Sequence, residues 1–146
     1  MDGTPERPTP ESRHLLTARA AAAEAATRIA AGDCEYALRV IVQAVAALHT
    51  EQLSADEVAD ILVAPPSTLS TDFDTLLATG VLWTATERGI DAPAWTHKPP
   101  LEHEWRPGYS RGDLDDGPWS ERMRAEALPV FRRVNVLMRE KDFENW

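Results

Sequence analysis

The residues that could carry chemistry are His14, His49, His97 and His103, the single Cys34, and an excess of carboxylates. His97 and His103 stand six apart in a proline-rich stretch, which matches neither a helical nor a finger spacing for zinc. His103-Glu104 lacks the second histidine that a metalloprotease helix needs. Asp113-Leu-Asp115-Asp116-Gly117 places acids at only two positions of a calcium loop, with its glycine one place early. Arg111-Gly-Asp113 reads as a chance tripeptide. No GxSxG, GxGxxG or phosphate-cradling Gly-Lys-Ser/Thr run occurs. A lone cysteine closes no internal disulfide and builds no cysteine-rich zinc site, and Cys34 is expected as a small buried hydrophobe. Carboxylate pairs arise by abundance, and no apolar setting marks one out as a general acid. These patterns predict no catalytic residue, no metal and no cofactor, so the expectation is a non-enzyme. A small enzyme or ligand binder would instead show a closed pocket around His97 or His103 with a perturbed titrating group.

Charge narrows the partners. The 146 residues carry 15 basic and 24 acidic side chains, a net charge of −9. The acids concentrate in residues 34–90, with eight against two basic groups, whereas 118–146 hold six basic and five acidic. An acidic body repels a phosphate backbone, so direct nucleic-acid binding is disfavoured, and it complements a basic protein surface. Its plainest consequence is solubility. The longest apolar run, around 36–48, is interrupted by Arg39 and Gln43 and falls short of a bilayer span. With no targeting pattern in the proline-rich start, the expected location is the cytoplasm.

The elements that must position these residues read as helices. Residues 1–10 are expected to form a flexible tail and 11–146 a single helical domain. Residues 11–31 hold nine alanines and end at Gly32, which predicts a helix with a small-residue stripe (Leu15, Ala18, Ala22, Ile29). It is read as the first helix of a bundle, with an arm that docks on a partner as the alternative. Residues 34–48 are polar only at Glu35, Arg39 and Gln43, one narrow stripe, which predicts a central helix enclosed by neighbours. Ser54-Ala-Asp-Glu57 opens a short helix with a capping box, stopped by Pro65 and Pro66. A further helix starts at Ser70 or Thr71, with Asp72 and Asp74 in its first turn.

Two readings compete beyond it. The helix either runs through Trp83 to about Arg88, or stops at Gly80 and lets residues 81–86 form a strand. The second makes residues 53–90 a winged helix-turn-helix of a DNA-binding transcriptional regulator, with Ser67–Thr79 as the recognition helix. That helix holds no Lys or Arg, which opposes DNA contact.

Residues 91–119 hold five prolines with Trp95, Trp105 and Trp119, a long connection expected to strap across the helices with Trp95 and Trp105 as pegs. Residues 120–128 predict a helix and Pro129 a further turn; 131–138 fit either helix or an extended piece, and 140–146 a final turn. Arg132, Arg133, Arg139 and Lys141 are the one cationic cluster. The fold class is thus mainly α, a small helical bundle with a long Trp/Pro-rich connecting segment.

Gly32-Asp33 with Ala37-Leu38-Arg39, Ala64-Pro-Pro66, Asp74-Thr-Leu-Leu-Ala78, Arg88-Gly-Ile-Asp-Ala-Pro-Ala-Trp-Thr96, Pro129-Val-Phe-Arg-Arg-Val-Asn-Val136 and Lys141-Asp-Phe143 together resemble a family of small actinobacterial antitoxin-like proteins over residues 30–146. Members are often encoded beside nucleotidyltransferase-like genes. The resemblance implies a non-catalytic protein that binds and neutralises a toxin partner by occlusion, and it favours the continuous helix through Trp83. Val81-Leu82-Trp83 and residues 97–119 depart from the family pattern. With the aromatic pegs and the cationic end, the expected partner-binding residues are Trp95, Trp105, Trp119, Phe131, Arg132, Arg133 and Asn135, since Trp and Arg are enriched at interface hot spots.

Overall fold

The computed structural model describes residues 17–144. The expected tail over 1–10 and the first part of the alanine-rich helix, 11–16, lie outside the described residues. The fold is mainly α: α1 (Ala18–Ala30), α2 (Cys34–Thr50), α3 (Ala55–Ile61), α4 (Thr71–Glu87), α5 (Pro118–Glu126) and the single turn α6 (Pro129–Arg132), with short 3-10 turns at Ala94–Thr96, Arg111–Asp113 and Glu140–Phe143.

Local signals set the helix ends. The Thr17 hydroxyl accepts the Ala20 N–H at 3.2 Å and starts α1. Gly32, at φ +81°, stops it: its N–H bonds to Ile29 O and that of Asp33 to Arg28 O, a Schellman closure. Asp33 then accepts the Tyr36 N–H at 3.1 Å and opens α2 with no linker between. Ala18, Ala21, Ala22 and Ala25 are completely buried, so the alanine stripe belongs to the bundle. Their four methyl groups contribute about 3 kcal/mol at roughly 0.8 kcal/mol each, and Ile29 packs on the same core.

The capping box of α3 forms as expected: Ser54 Oγ accepts the Glu57 N–H (3.2 Å) and Glu57 Oε1 accepts the Ser54 N–H (2.8 Å). The loop before α4 is closed by Asp74, which accepts the Thr68 N–H and the hydroxyls of Thr68 and Ser67, each at 2.7 Å. Ser70 caps α4 through the Phe73 N–H. This helix continues to Glu87, and Gly89 at φ +68° ends it by the same closure seen at Gly32.

Residues 81–86 are therefore helical, and the wing expected beyond Gly80 in the winged reading does not form. Val81 and Trp83 are buried between α2 and the C-terminal segment, and that burial overrides their preference for strand. The expected narrow stripe of α2 is present: Glu35, Arg39 and Gln43 are exposed, while Leu38, Ile41, Val42, Val45 and Leu48 are buried. Helix α4 is more enclosed still, with every residue from Thr75 to Ala85 buried. Cys34 is exposed rather than buried, because the first turn of α2 extends past the packed face and leaves Glu35 and Tyr36 exposed with it.

The strap follows its expected course. The Trp95 indole N–H donates to Leu62 O at the end of α3 (2.9 Å), and Arg111 pairs with Asp72 at 3.0 and 3.1 Å. The Trp105 N–H donates to Asn135 O and its carbonyl accepts the Leu137 N–H, both at 2.8 Å. That parallel bridge is the one extended pairing among the described residues, so 133–138 is a turn into an extended piece. Met123, Ala127 and Leu137 form a small second cluster with Leu114 and Trp119 packed on it.

An added Cβ at Gly80 would fall 2.5 Å from Val45 Cγ2 and 3.0 Å from Cγ1. Valine is stiff at χ1, so the helices must separate. Gly80→Ala is expected to destabilise the fold by about 1–3 kcal/mol despite alanine's better helix propensity, and Val45→Ala to recover part of that loss in the double variant. Urea melts of the four proteins check this.

Candidate functional site

Five of the seven expected partner-binding residues are partly or wholly interior. Trp105 and Phe131 are core residues. Trp95 is half-buried, and Trp119 is half-buried in the small cluster with its ring 5.0 Å from that of Tyr109. Asn135 adopts φ +67°, and its side-chain amide donates to Leu101 O at 2.7 Å, which ties the C-terminal segment to the strap. Arg132 and Arg133 are exposed. The structure thus joins Trp105 and Asn135 directly, places Phe131 beneath the two arginines, and leaves Trp119 in a separate cluster.

The cationic end is rigid because of what lies under it. Pro129 sets the first turn of α6, and Phe131 is fully buried against the rings of Trp83 (6.1 Å between centroids) and Phe143 (5.7 Å). Arg132 Nη1 donates to Arg124 O at 3.0 Å, whereas the Arg133 guanidinium has no polar partner among the described residues. Arg139 and Lys141 pair locally with Glu126, and Arg139 also with Asp142, so neither reaches the acidic body.

A pocket of about 340 Å³ opens beside Arg133, between α4 and the strap. Thr79 and Leu82 come from α4, and His97 and Lys98 from the strap. Both strap histidines are exposed, and of the two His97 lines this pocket. A larger groove of about 600 Å³ lies at the other side of the core, where His49 stacks on Trp83 with ring centroids 3.7 Å apart. Burial pushes the His49 pKa down, against a weaker upward pull from Glu87. No group of three or more His, Cys, Asp or Glu among the described residues is arranged to hold a metal ion. No helix among them is long and apolar enough to cross a membrane.

Spacing in the chain does not reveal the strongest electrostatic feature, a buried pair 36 residues apart in sequence. Arg106 donates to Asp142 through both terminal nitrogens (2.6 and 3.1 Å) and to Leu137 O at 2.9 Å. Burial alone would raise the Asp142 pKa. Hydrogen bonds from the Arg106 side chain, then from the side chain and N–H of Arg139, outweigh burial and hold it at about 2. Lys98 was equally hidden, since its pocket exists only once α4 and residue 133 lie beside the strap, whereas His97 is one of the candidates named from the sequence.

No family model, no curated protein and no solved structure matches the chain.

A carboxylate whose pKa falls on folding stabilises the folded state above its ordinary value and loses that contribution as pH drops through the folded value. The chain should therefore lose about 2 kcal/mol between pH 5 and pH 2 through Asp142. Asp142→Asn should be destabilised by about 3 kcal/mol at pH 7, since it strands the buried Arg106, and its acid-labile share should vanish. Urea titrations at pH 7 and pH 2.5 on both proteins measure the two effects.

Proposed function

We propose that this chain is a non-catalytic, antitoxin-like protein that binds a protein partner and neutralises it by covering its active surface. The observation that carries the reading is the segregation of charge: Arg132 and Arg133 stand exposed, without a carboxylate partner among the described residues, on a chain of net charge −9. They are held on a turn anchored by a fully buried phenylalanine, so a partner meets them preorganised and little side-chain order is lost on docking. An acidic patch on the partner would align with this end and a basic one with the acidic body, which speeds encounter and sets orientation.

Occlusion needs no reactive group on the chain, only a rigid surface that excludes water and substrate from the partner's site. The interior position of Trp105 and Phe131 assigns them to supporting that surface, with Trp95 and Trp119 at its margins. The resemblance to proteins encoded beside nucleotidyltransferase-like genes makes the product of the adjacent gene the first partner to test, and the cytoplasm the expected setting.

Co-expression of the tagged chain with that gene product should yield a stable complex and relieve the toxicity of the partner expressed alone. Arg132→Glu with Arg133→Glu should slow association by about tenfold at low salt, with a smaller difference at high salt. A chain that purifies free of its neighbour, or a charge-reversed variant that associates at the original rate, would contradict the reading.

A further inference from the structure

We propose that the pocket between α4 and the strap binds an organic phosphate monoester, whose anionic head lies between Lys98 and Arg133. Its surroundings invert the charge of the molecule. Lys98 and Arg133, like Arg39, Arg122 and Arg132, have no carboxylate partner among the described residues, and these two line the same cavity. No acidic side chain lines the pocket. Two uncompensated cations facing one cavity repel each other, and an anion between them removes that cost.

A second, independent observation is the hydroxyl of Thr79, which also lines this pocket. The residue is 1% exposed, and its Oγ1 is buried with no hydrogen-bond partner. A helical threonine normally bonds to a carbonyl one turn back, so an orphaned hydroxyl here lacks its usual partner and is destabilising. An acceptor oxygen at the pocket floor would satisfy it. The neighbouring Thr96 hydroxyl is already committed to Pro93 O at 2.7 Å, which leaves Thr79 as the free donor of the two.

The chemistry favours phosphate over carboxylate. A phosphate monoester carries about −1.5 to −2 charge near pH 7 and three strong acceptor oxygens. That matches two cations and a hydroxyl, with the His97 ring as a further donor, while a carboxylate leaves one cation uncompensated. The cavity, at about 340 Å³, also exceeds what a bare ion needs, and Leu82, Pro100 and Val134 supply an apolar wall for an organic body.

The test uses the ¹⁵N-labelled full chain, titrated at low salt with phenyl phosphate, inorganic phosphate and phenylacetate while amide shifts are recorded. Saturable shifts are expected at Thr79, at 96–98 and at 133–134, with phenyl phosphate about threefold or more tighter than inorganic phosphate. Lys98→Gln and Arg133→Gln should each weaken phenyl phosphate by about tenfold, and Thr79→Val, which keeps the side-chain shape, by about threefold. Arg132→Gln, on the same turn but outside the pocket, should stay within about twofold while still impairing the partner complex, so the two sites fail separately. Absence of saturation at about 20 mM (a contact worth less than roughly 2.3 kcal/mol), equal affinity for phenylacetate, or unchanged affinity in the Lys98→Gln, Arg133→Gln double variant would overturn the proposal. Lys98 and Arg133 make no polar contacts that the fold requires, so these variants decide the question even if Thr79→Val fails to fold.

Discussion

Helix α4 can cross α2 as closely as it does only because position 80 has no side chain. Val45 fills the space a Cβ would take, and the valine has no alternative rotamer to retreat into. This close crossing lets α4 bury every residue from Thr75 to Ala85 inside a small domain. Once α4 is enclosed, everything around it is placed by contact with it. Arg88, at its C-terminal end, donates to the carbonyls of Leu48, His49 and Glu51 and so closes the end of α2. Asp74, at the other end, holds the 67–70 loop. Asp72 holds the strap through Arg111.

Trp83 carries the same constraint toward the functional face. One side of its ring stacks on His49, and others meet Phe131 and Phe143. Phe131 fixes α6, and α6 presents Arg132 and Arg133. The Arg106–Asp142 pair then pins the C-terminal turn to the strap. Desolvating two charges is costly, and the bidentate geometry with the added Leu137 and Arg139 bonds offsets that cost, so removing either partner would strand a buried charge. The exposed ion pair of Arg28 with Glu24 contributes about 0–1 kcal/mol and decides nothing comparable.

The helical class, the capping box at Ser54, the stop at Gly32, and the strap anchored by Trp95 and Trp105 were legible because each rests on local chemistry: a cap, a left-handed residue, a large apolar ring. What was not legible depends on non-local packing. The 81–86 stretch looks extended by propensity, and only the resemblance favoured the helix that the burial of residues 81–85 enforces. The enclosure of α4 depended on threonines and a glycine that look half-polar in sequence and are buried in the fold. Cys34 misled because an apolar run does not reveal where its first turn overhangs. At the candidate site, Arg132 and Arg133 were visible within the one cationic cluster and His97 as a pocket candidate, while Thr79 and Lys98 join them only in three dimensions.

A continuous, enclosed α4 thus underlies both the cationic end and the pocket beside it. Native-state hydrogen exchange on the full chain tests that claim most directly. The amides of residues 76–85 should exchange only through global unfolding, with the free energy obtained from urea melts, and slower than those of α1. Fast or local exchange at 81–86, with protection ending at Gly80, would contradict a continuous buried helix and the placement of both sites with it.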